Sequence, residues 1–133
     1  MTTAAFAGVG TLLKRDTNSI AEINSISGPN LTRDTIDVTS LNSIGGYREF
    51  IPGFRDGGEV TLSCNWVRDE WDDWLADFQS DTIQSYSITL SDTAGTVISF
   101  SAYCVGMGVE VPMDDKVTNE VTLKISGAVT LTS

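Results

Sequence analysis

The chain has 133 residues, a length that suits one domain with its own hydrophobic core, and its 18 acidic and 8 basic residues give a net charge of −10. A chain this acidic has no basic surface that could displace counterions from phosphates, so we expect no tight DNA or RNA binding. Histidine is absent, which excludes Ser-His-Asp hydrolysis, Cys-His proteolysis and histidine-ligated metal sites.

The N-terminal segment, MTTAAFAGVGTLLKRD, has no charged region before its short apolar run, so no secretion signal is predicted. No apolar run approaches the roughly 20 residues that a membrane span needs. We therefore expect synthesis in the cytoplasm and no membrane partner.

Most of the chain alternates apolar and polar residues, which predicts half-buried antiparallel strands. A first strand begins near Ala21 and is broken by Pro29, and TIDVTS follows with Ile36 and Val38 on one face. We count seven or eight strands, which predicts a mainly β chain, an antiparallel β-sandwich or partly open barrel. The strongest alternation occurs in the segments EVTLSCNW, SYSITL, VISFSAYCV and EVTLKI.

Residues 43–58, SIGGYREFIPGFRDGG, combine five glycines with aromatic side chains. The segment is longer than most connections and too aromatic for plain disorder. We predict a long inter-strand loop that is pliable alone and orders against a partner, although a connection that folds back on its own sheet is the alternative. The predicted contact residues are Tyr47, Arg48, Glu49, Phe50, Ile51, Phe54, Arg55 and Asp56.

One segment, residues 68–81, has helical rather than strand periodicity. Trp71, Trp74, Leu75 and Phe78 recur at i, i+3, i+4 and i+7, which predicts an amphipathic helix flanking the sheet. We interpret its tryptophans, together with Trp66 on a strand, as core residues rather than a sugar-stacking platform. Its six carboxylates against one arginine are interpreted as a solvated face rather than a catalytic pair.

No residue pattern predicts catalysis, a metal site or a cofactor. Cys64 and Cys104 occupy core-facing strand positions and are predicted to be free, buried thiols. The acidic segment MDDKVTNE lacks the ligand spacing of a calcium loop. The sequences GVG and GMG do not extend to a phosphate-binding GxGxxG.

The stretch IDVTSLNSIGGYREFIPGFRDGGEVTLSCNW resembles the tail tube protein, or major tail protein, of long-tailed non-contractile bacteriophages. The flanking segments AEINSISGP and NEVTLKISGAVTL also resemble segments of this family and occur in the same order along the chain. The resemblance covers nearly the whole chain. The resemblance implies one tail-tube domain over residues 1–133. It further implies hexameric rings that stack into a hollow tube around a tape-measure protein, with tail-tip and terminator proteins at its ends.

In that family, residues 43–58 and an N-terminal arm, residues 1–12, would be the ring-to-ring contacts. The expected location is the virion tail, with DNA only as non-specific cargo in the lumen. Asp34 and Asp37 are the lumen candidates, and we expect the helix on the tube's exterior. Two other functions stay open at this point, a carbohydrate-binding β-sandwich module and a carboxylate-dependent hydrolase.

Overall fold

The computed structural model describes residues 8–15, 18–20 and 22–132. Most of the N-terminal arm predicted over residues 1–12 lies outside this part of the chain. Ten strands, one α-helix and a single 3₁₀ turn (Ile44–Gly46) follow within the described residues. The bounds are β1 Leu12–Arg15, β2 Asn18–Ile20, β3 Ile23–Ser27, β4 Thr32–Asp37, β5 Phe50–Asp56, β6 Glu59–Asn65, α1 Arg68–Gln79, β7 Gln84–Thr89, β8 Val97–Glu110, β9 Thr118–Ile125 and β10 Thr130–Thr132.

Eight of the strands form one antiparallel sheet. Seven of them follow the order β2-β1-β7-β8-β9-β6-β3, and the eighth, β10, pairs with β8. The sheet is not closed into a barrel, and β4 and β5 form a separate two-stranded sheet. The predicted fold class, mainly β and antiparallel with one flanking helix, is confirmed.

The core lies on the apolar face of the main sheet, where the alternation predicted it. Leu62 of β6 pairs with Val121 of β9, and Val60 pairs with Leu123. Residues paired across strands share a face, and all four side chains are fully buried.

Both cysteines are free and buried, as predicted. Cys64 lies on β6 and Cys104 on β8, each among the core residues. Desolvation, with a smaller contribution from the carboxylate of Glu70, raises the pKa of the Cys64 thiol to about 11. At neutral pH this thiol is therefore protonated and behaves as a small hydrophobic side chain.

The helix α1 ends at Gln79, two residues before the predicted end. Only Trp74 of the predicted apolar face is fully buried, and its ring stacks on Tyr86 with centroids 6.0 Å apart. The interpretation of Trp66 as a core residue is wrong, because it follows the last paired residue of β6 and is 39% exposed.

A carboxylate takes the buried position next to Trp74 on the helix. Asp77 forms an ion pair with Arg15 of β1 and accepts a hydrogen bond of 3.1 Å from the hydroxyl of Tyr86. The prediction that all six carboxylates of this segment are solvated is therefore wrong for Asp77, since a buried carboxylate persists where it is paired.

A projecting hairpin as the candidate assembly surface

The two-stranded sheet is a hairpin that projects from the fold, and we call residues 31–57 the hairpin. Its strands β4 and β5 pair with each other through Ile36 and Ile51 and through Asp37 and Phe50. Every residue from 31 to 52 is exposed except Ser43. Part of the predicted loop over residues 43–58 is thus strand β5.

The alternation in TIDVTS predicts a strand of the half-buried sheet, but β4 lies in the hairpin instead. Ile36 of β4 is exposed, and so is Val38, one residue beyond the end of the strand. Alternation predicts a strand correctly here but cannot specify which sheet the strand joins.

The aromatic side chains of the hairpin are exposed in the single subunit. Tyr47 is 77% exposed and Phe54 is 88% exposed. Phe50 and Ile51 are also exposed, as are Leu41 and Ile44 near the tip. An isolated two-stranded hairpin is at best marginally stable in water, and a large exposed apolar patch marks an interaction surface. This surface therefore suits contact with another protein chain.

Polar side chains organise the tip of the hairpin from within. The backbone N–H of Glu49 donates to Oγ1 of Thr39 at 2.7 Å, and the Ser43 hydroxyl donates to Oε2 of Glu49 at 3.0 Å. Hydrogen bonds from Thr39, together with the Arg48 guanidinium 3.4 Å away, hold the pKa of Asp37 below its ordinary value. Arg48 and Glu49, predicted as partner contacts, thus have partners inside the hairpin.

The base of the hairpin is fixed to the main sheet. The carboxylate of Asp56 accepts a hydrogen bond from the Gly58 N–H at 2.8 Å. It also forms an ion pair with Lys124 of β9 at 3.1 Å. These two groups, the Gly58 N–H first, lower the pKa of Asp56. Gly57 is buried against Ile125, where an added Cβ would lie 2.5 Å from the Cγ2 atom. The hairpin is therefore anchored at its base and exposed beyond it.

The base depends on glycine at position 58, and Gly58→Ala is predicted to destabilise the fold. Gly58 has φ +75°, and an added Cβ would lie 2.2 Å from the Asn30 carbonyl oxygen. Gly46 has a similar φ of +73° but open space around it, so Gly46→Ala is the matched control. We expect a loss of about 1–2 kcal/mol for the control and more for Gly58→Ala, measured by urea unfolding. Equal losses would contradict a steric role.

The ladder also brings together two arginines, of which only Arg55 is among the predicted contact residues. Arg33 of β4 lies directly opposite Arg55 of β5. Neither forms an ion pair with any residue in the described ranges, and Arg33 Nε donates to the Gly53 carbonyl oxygen at 3.4 Å. Arg33 was missed because the pairing depends on the register of a bulged ladder, which the sequence does not reveal.

Other kinds of site find no support in residues 8–15, 18–20 and 22–132. No group of three or more cysteine and carboxylate side chains there could hold a metal ion. The helix α1 is too short and too polar to cross a bilayer, and no other helix of sufficient length is described. The lumen candidates Asp34 and Asp37 both lie on β4 of the hairpin, and their role in a lumen stays a prediction.

Several solved structures share this fold at identities of 20% or less. A chain of the PVC sheath/tube terminator of an extracellular contractile injection system aligns with a TM-score of 0.80 at 19% identity, covering 100% of both chains. A chain from the tail of a gene transfer agent particle aligns at 0.80 and 20% identity, covering 97% of this chain and 100% of its own. A chain of the tube-terminating cap of the anti-feeding prophage aligns at 0.79 and 17% identity, covering 100% and 94%.

No curated protein sequence matches the chain significantly. The sequence model of one family, described as "Lambda phage tail tube protein, TTP", matches residues 3–132. That match spans nearly the whole chain and includes both the main sheet and the hairpin. The chain therefore belongs to the family of lambda phage tail tube proteins, structural proteins of the virion tail.

Proposed function

We propose that copies of this chain assemble into hexameric rings, which stack into the hollow tube of a phage tail. The observation that carries this proposal is the hairpin, whose apolar side chains are exposed while its base is anchored. Subunits of a ring meet head to tail, and such contacts close when the rotation between neighbours allows it. A hexamer is favoured because the similar tail of the gene transfer agent has C6 symmetry.

The charge of the chain suits a conduit for DNA. At −10 per copy, a hexameric ring would have a charge of about −60. A wall of that sign offers phosphates no counterion release, so DNA would pass through without binding tightly. Asp34 and Asp37 remain the proposed lumen residues. Their position on the projecting hairpin would bring them to the lumen where the hairpins of adjacent rings meet.

The proposed partners are the chain itself, a tape-measure protein inside the tube, and terminator and tail-tip proteins at its ends. The similar structures come from a sheath/tube terminator, a tube-terminating cap and a baseplate, which supports partners of this kind. Neither catalysis nor a cofactor is part of the proposal, because the family is structural. The carbohydrate-binding alternative has less support, since Trp74 is in the core.

Negative-stain microscopy of the purified chain over a range of protein and salt concentrations tests the proposal. We expect rings with six subunits and, at high concentration, stacked tubes. Dispersed monomers under every condition would contradict self-assembly, and rings of another number would contradict the hexamer.

A further inference from the structure

The main sheet is open along its edge strand β3. In the order of the sheet β3 comes last, and among the described strands it pairs only with β6. A groove of about 410 Å³ is lined by β3 and by residues 88–98 of β7, β8 and their connection. We call it the β3 groove. Its apolar lining consists of Ile23, Ile26, Ile88, Leu90 and Ile98.

The core has a partly exposed rim in the β3 groove. Of the five apolar side chains in the lining, Ile88 is buried, whereas the other four pack against the core and are only partly buried. Proteins usually cover the unpaired edge of a strand with a loop or a further segment, because its free N–H and C=O groups can pair with another chain. The open edge of β3 and the apolar side chains beside it therefore favour a covering segment.

The N-terminal part of the chain enters the fold at this groove. Gly8 is the first residue that the structure describes, and both Gly8 and Thr11 line the β3 groove. The Thr11 N–H donates to the Gly8 carbonyl oxygen at 3.1 Å, and this turn fixes Gly8 close to the start of β1. Residues 1–7 therefore continue from the rim of the groove.

The length and the chemistry of residues 1–7 fit the β3 groove. Seven extended residues reach about 23 Å, whereas β3, with five residues, spans about 17 Å. The segment MTTAAFA has no charged side chain, and none of the described residues that line the groove is charged, although 20% of the chain is. Phe6 precedes Gly8 by two residues and is thus within about 7 Å of the rim.

We propose that residues 1–7 lie in the β3 groove of their own subunit, along the edge of β3, with Phe6 packed against the isoleucines. The segment and the groove belong to one chain, so their effective concentration is high and no second copy is needed. The contact removes apolar surface of both from water. The inference goes beyond the proposed tube and does not depend on it. It differs from the ring-to-ring contact that the family resemblance implies for the N-terminal arm.

Disulfide trapping tests the position of the segment. Ala4→Cys and Ala5→Cys are each combined with Ser25→Cys, a position on β3 that is exposed at the groove. Two neighbouring positions are used because successive residues of an extended segment point to opposite sides. Extended segments that lie side by side are about 5 Å apart, which is within the Cα separation that a disulfide requires. The native thiols are buried and do not compete.

Under mild oxidation of the dilute chain, we expect at least one of the two variants to form a disulfide within a single chain, seen as faster migration on a non-reducing gel. The matched control combines Ala5→Cys with Met113→Cys, at a fully exposed position, and should form at least about tenfold less. Disulfide-linked dimers in place of the intrachain bond would show that the segment contacts another copy and would overturn the inference. So would the absence of any disulfide, or equal cross-linking of the control.

Urea unfolding gives a second, independent readout. Phe6→Ala is expected to lower the midpoint by about 1 M, because the variant loses apolar burial in the groove. Val9→Ala, at a position that is 87% exposed, is the matched control and should shift the midpoint by no more than about 0.3 M. The protein concentration is one at which sedimentation shows single subunits, so that assembly does not contribute. Equal midpoints for the two variants would contradict the docking, whether or not the chain forms tubes.

Discussion

Replacing Phe54 with alanine is expected to prevent tube formation at concentrations where the unmodified chain assembles, while the subunit stays folded. The side chain is almost fully exposed, so its loss should change the stability of the monomer by no more than about 0.5 kcal/mol. At an interface, truncating a central aromatic anchor costs about 2 kcal/mol or more. That cost corresponds to a critical concentration raised at least about 30-fold.

Sedimentation and negative-stain microscopy across a concentration series measure the effect, and urea unfolding checks the monomer. Met113→Ala is the matched control, since Met113 is fully exposed and lies outside the hairpin. Normal assembly of Phe54→Ala would show that the hairpin aromatic is not a contact between copies. The same result for Tyr47→Ala and Phe50→Ala would remove the hairpin from the interface.

Replacing Trp74 with alanine is expected to cost about 3–5 kcal/mol of folding stability. Trp74 is buried and is the first of three stacked rings, followed by Tyr86 and Phe100, with 6.0 Å between successive centroids. Its loss would leave a cavity between α1 and the sheet. A domain of this size has a free energy of unfolding of about 5–15 kcal/mol, so the variant should melt about 10–20 °C lower.

Calorimetry or thermal circular dichroism measures this shift, and Trp66→Ala is the matched control. Trp66 is partly exposed at the end of β6, so the same substitution there should lower the melting temperature much less. Equal shifts for the two variants would contradict the assignment of Trp74, unlike Trp66, to the core.

The main sheet was predictable because its strands have one buried face. Val60, Leu62 and Cys64 alternate with polar residues, and the burial follows that pattern along β6. The β4 strand shows the limit of this signal. Its alternation resembles that of a core strand, yet it pairs only with β5 among the described strands. Which strand pairs with which is decided by contacts distant in sequence, and no local pattern contains them.

The orientation of the helix shows the same limit. Apolar spacing predicted that Leu75 and Phe78 face the core, but Asp77 occupies the buried side. The reason is Arg15, which lies 62 residues earlier in the chain and pairs with Asp77. A carboxylate in a helical segment is expected to be solvated, and only the position of β1 reveals its partner.

The exposure of the aromatic side chains agrees with what the sequence indicates. Glycines near Tyr47, Phe50 and Phe54 predict a segment that orders against a partner, and these side chains are exposed, while their contact with a partner stays a prediction. Three features could not be predicted from the sequence: the strand β5, the ion pair between Asp56 and Lys124, and the pairing of Arg33 with Arg55. Each depends on pairing or packing between residues distant in the chain.

A cryo-EM reconstruction of the assembled tube is the most direct test of the central claim, which is that the apolar side chains of the hairpin pack against another copy of the chain. We expect Tyr47, Phe50 and Phe54 to lie within about 4.5 Å of apolar side chains of a neighbouring subunit. A map in which these side chains fold back on their own subunit, or project into solvent, would contradict it.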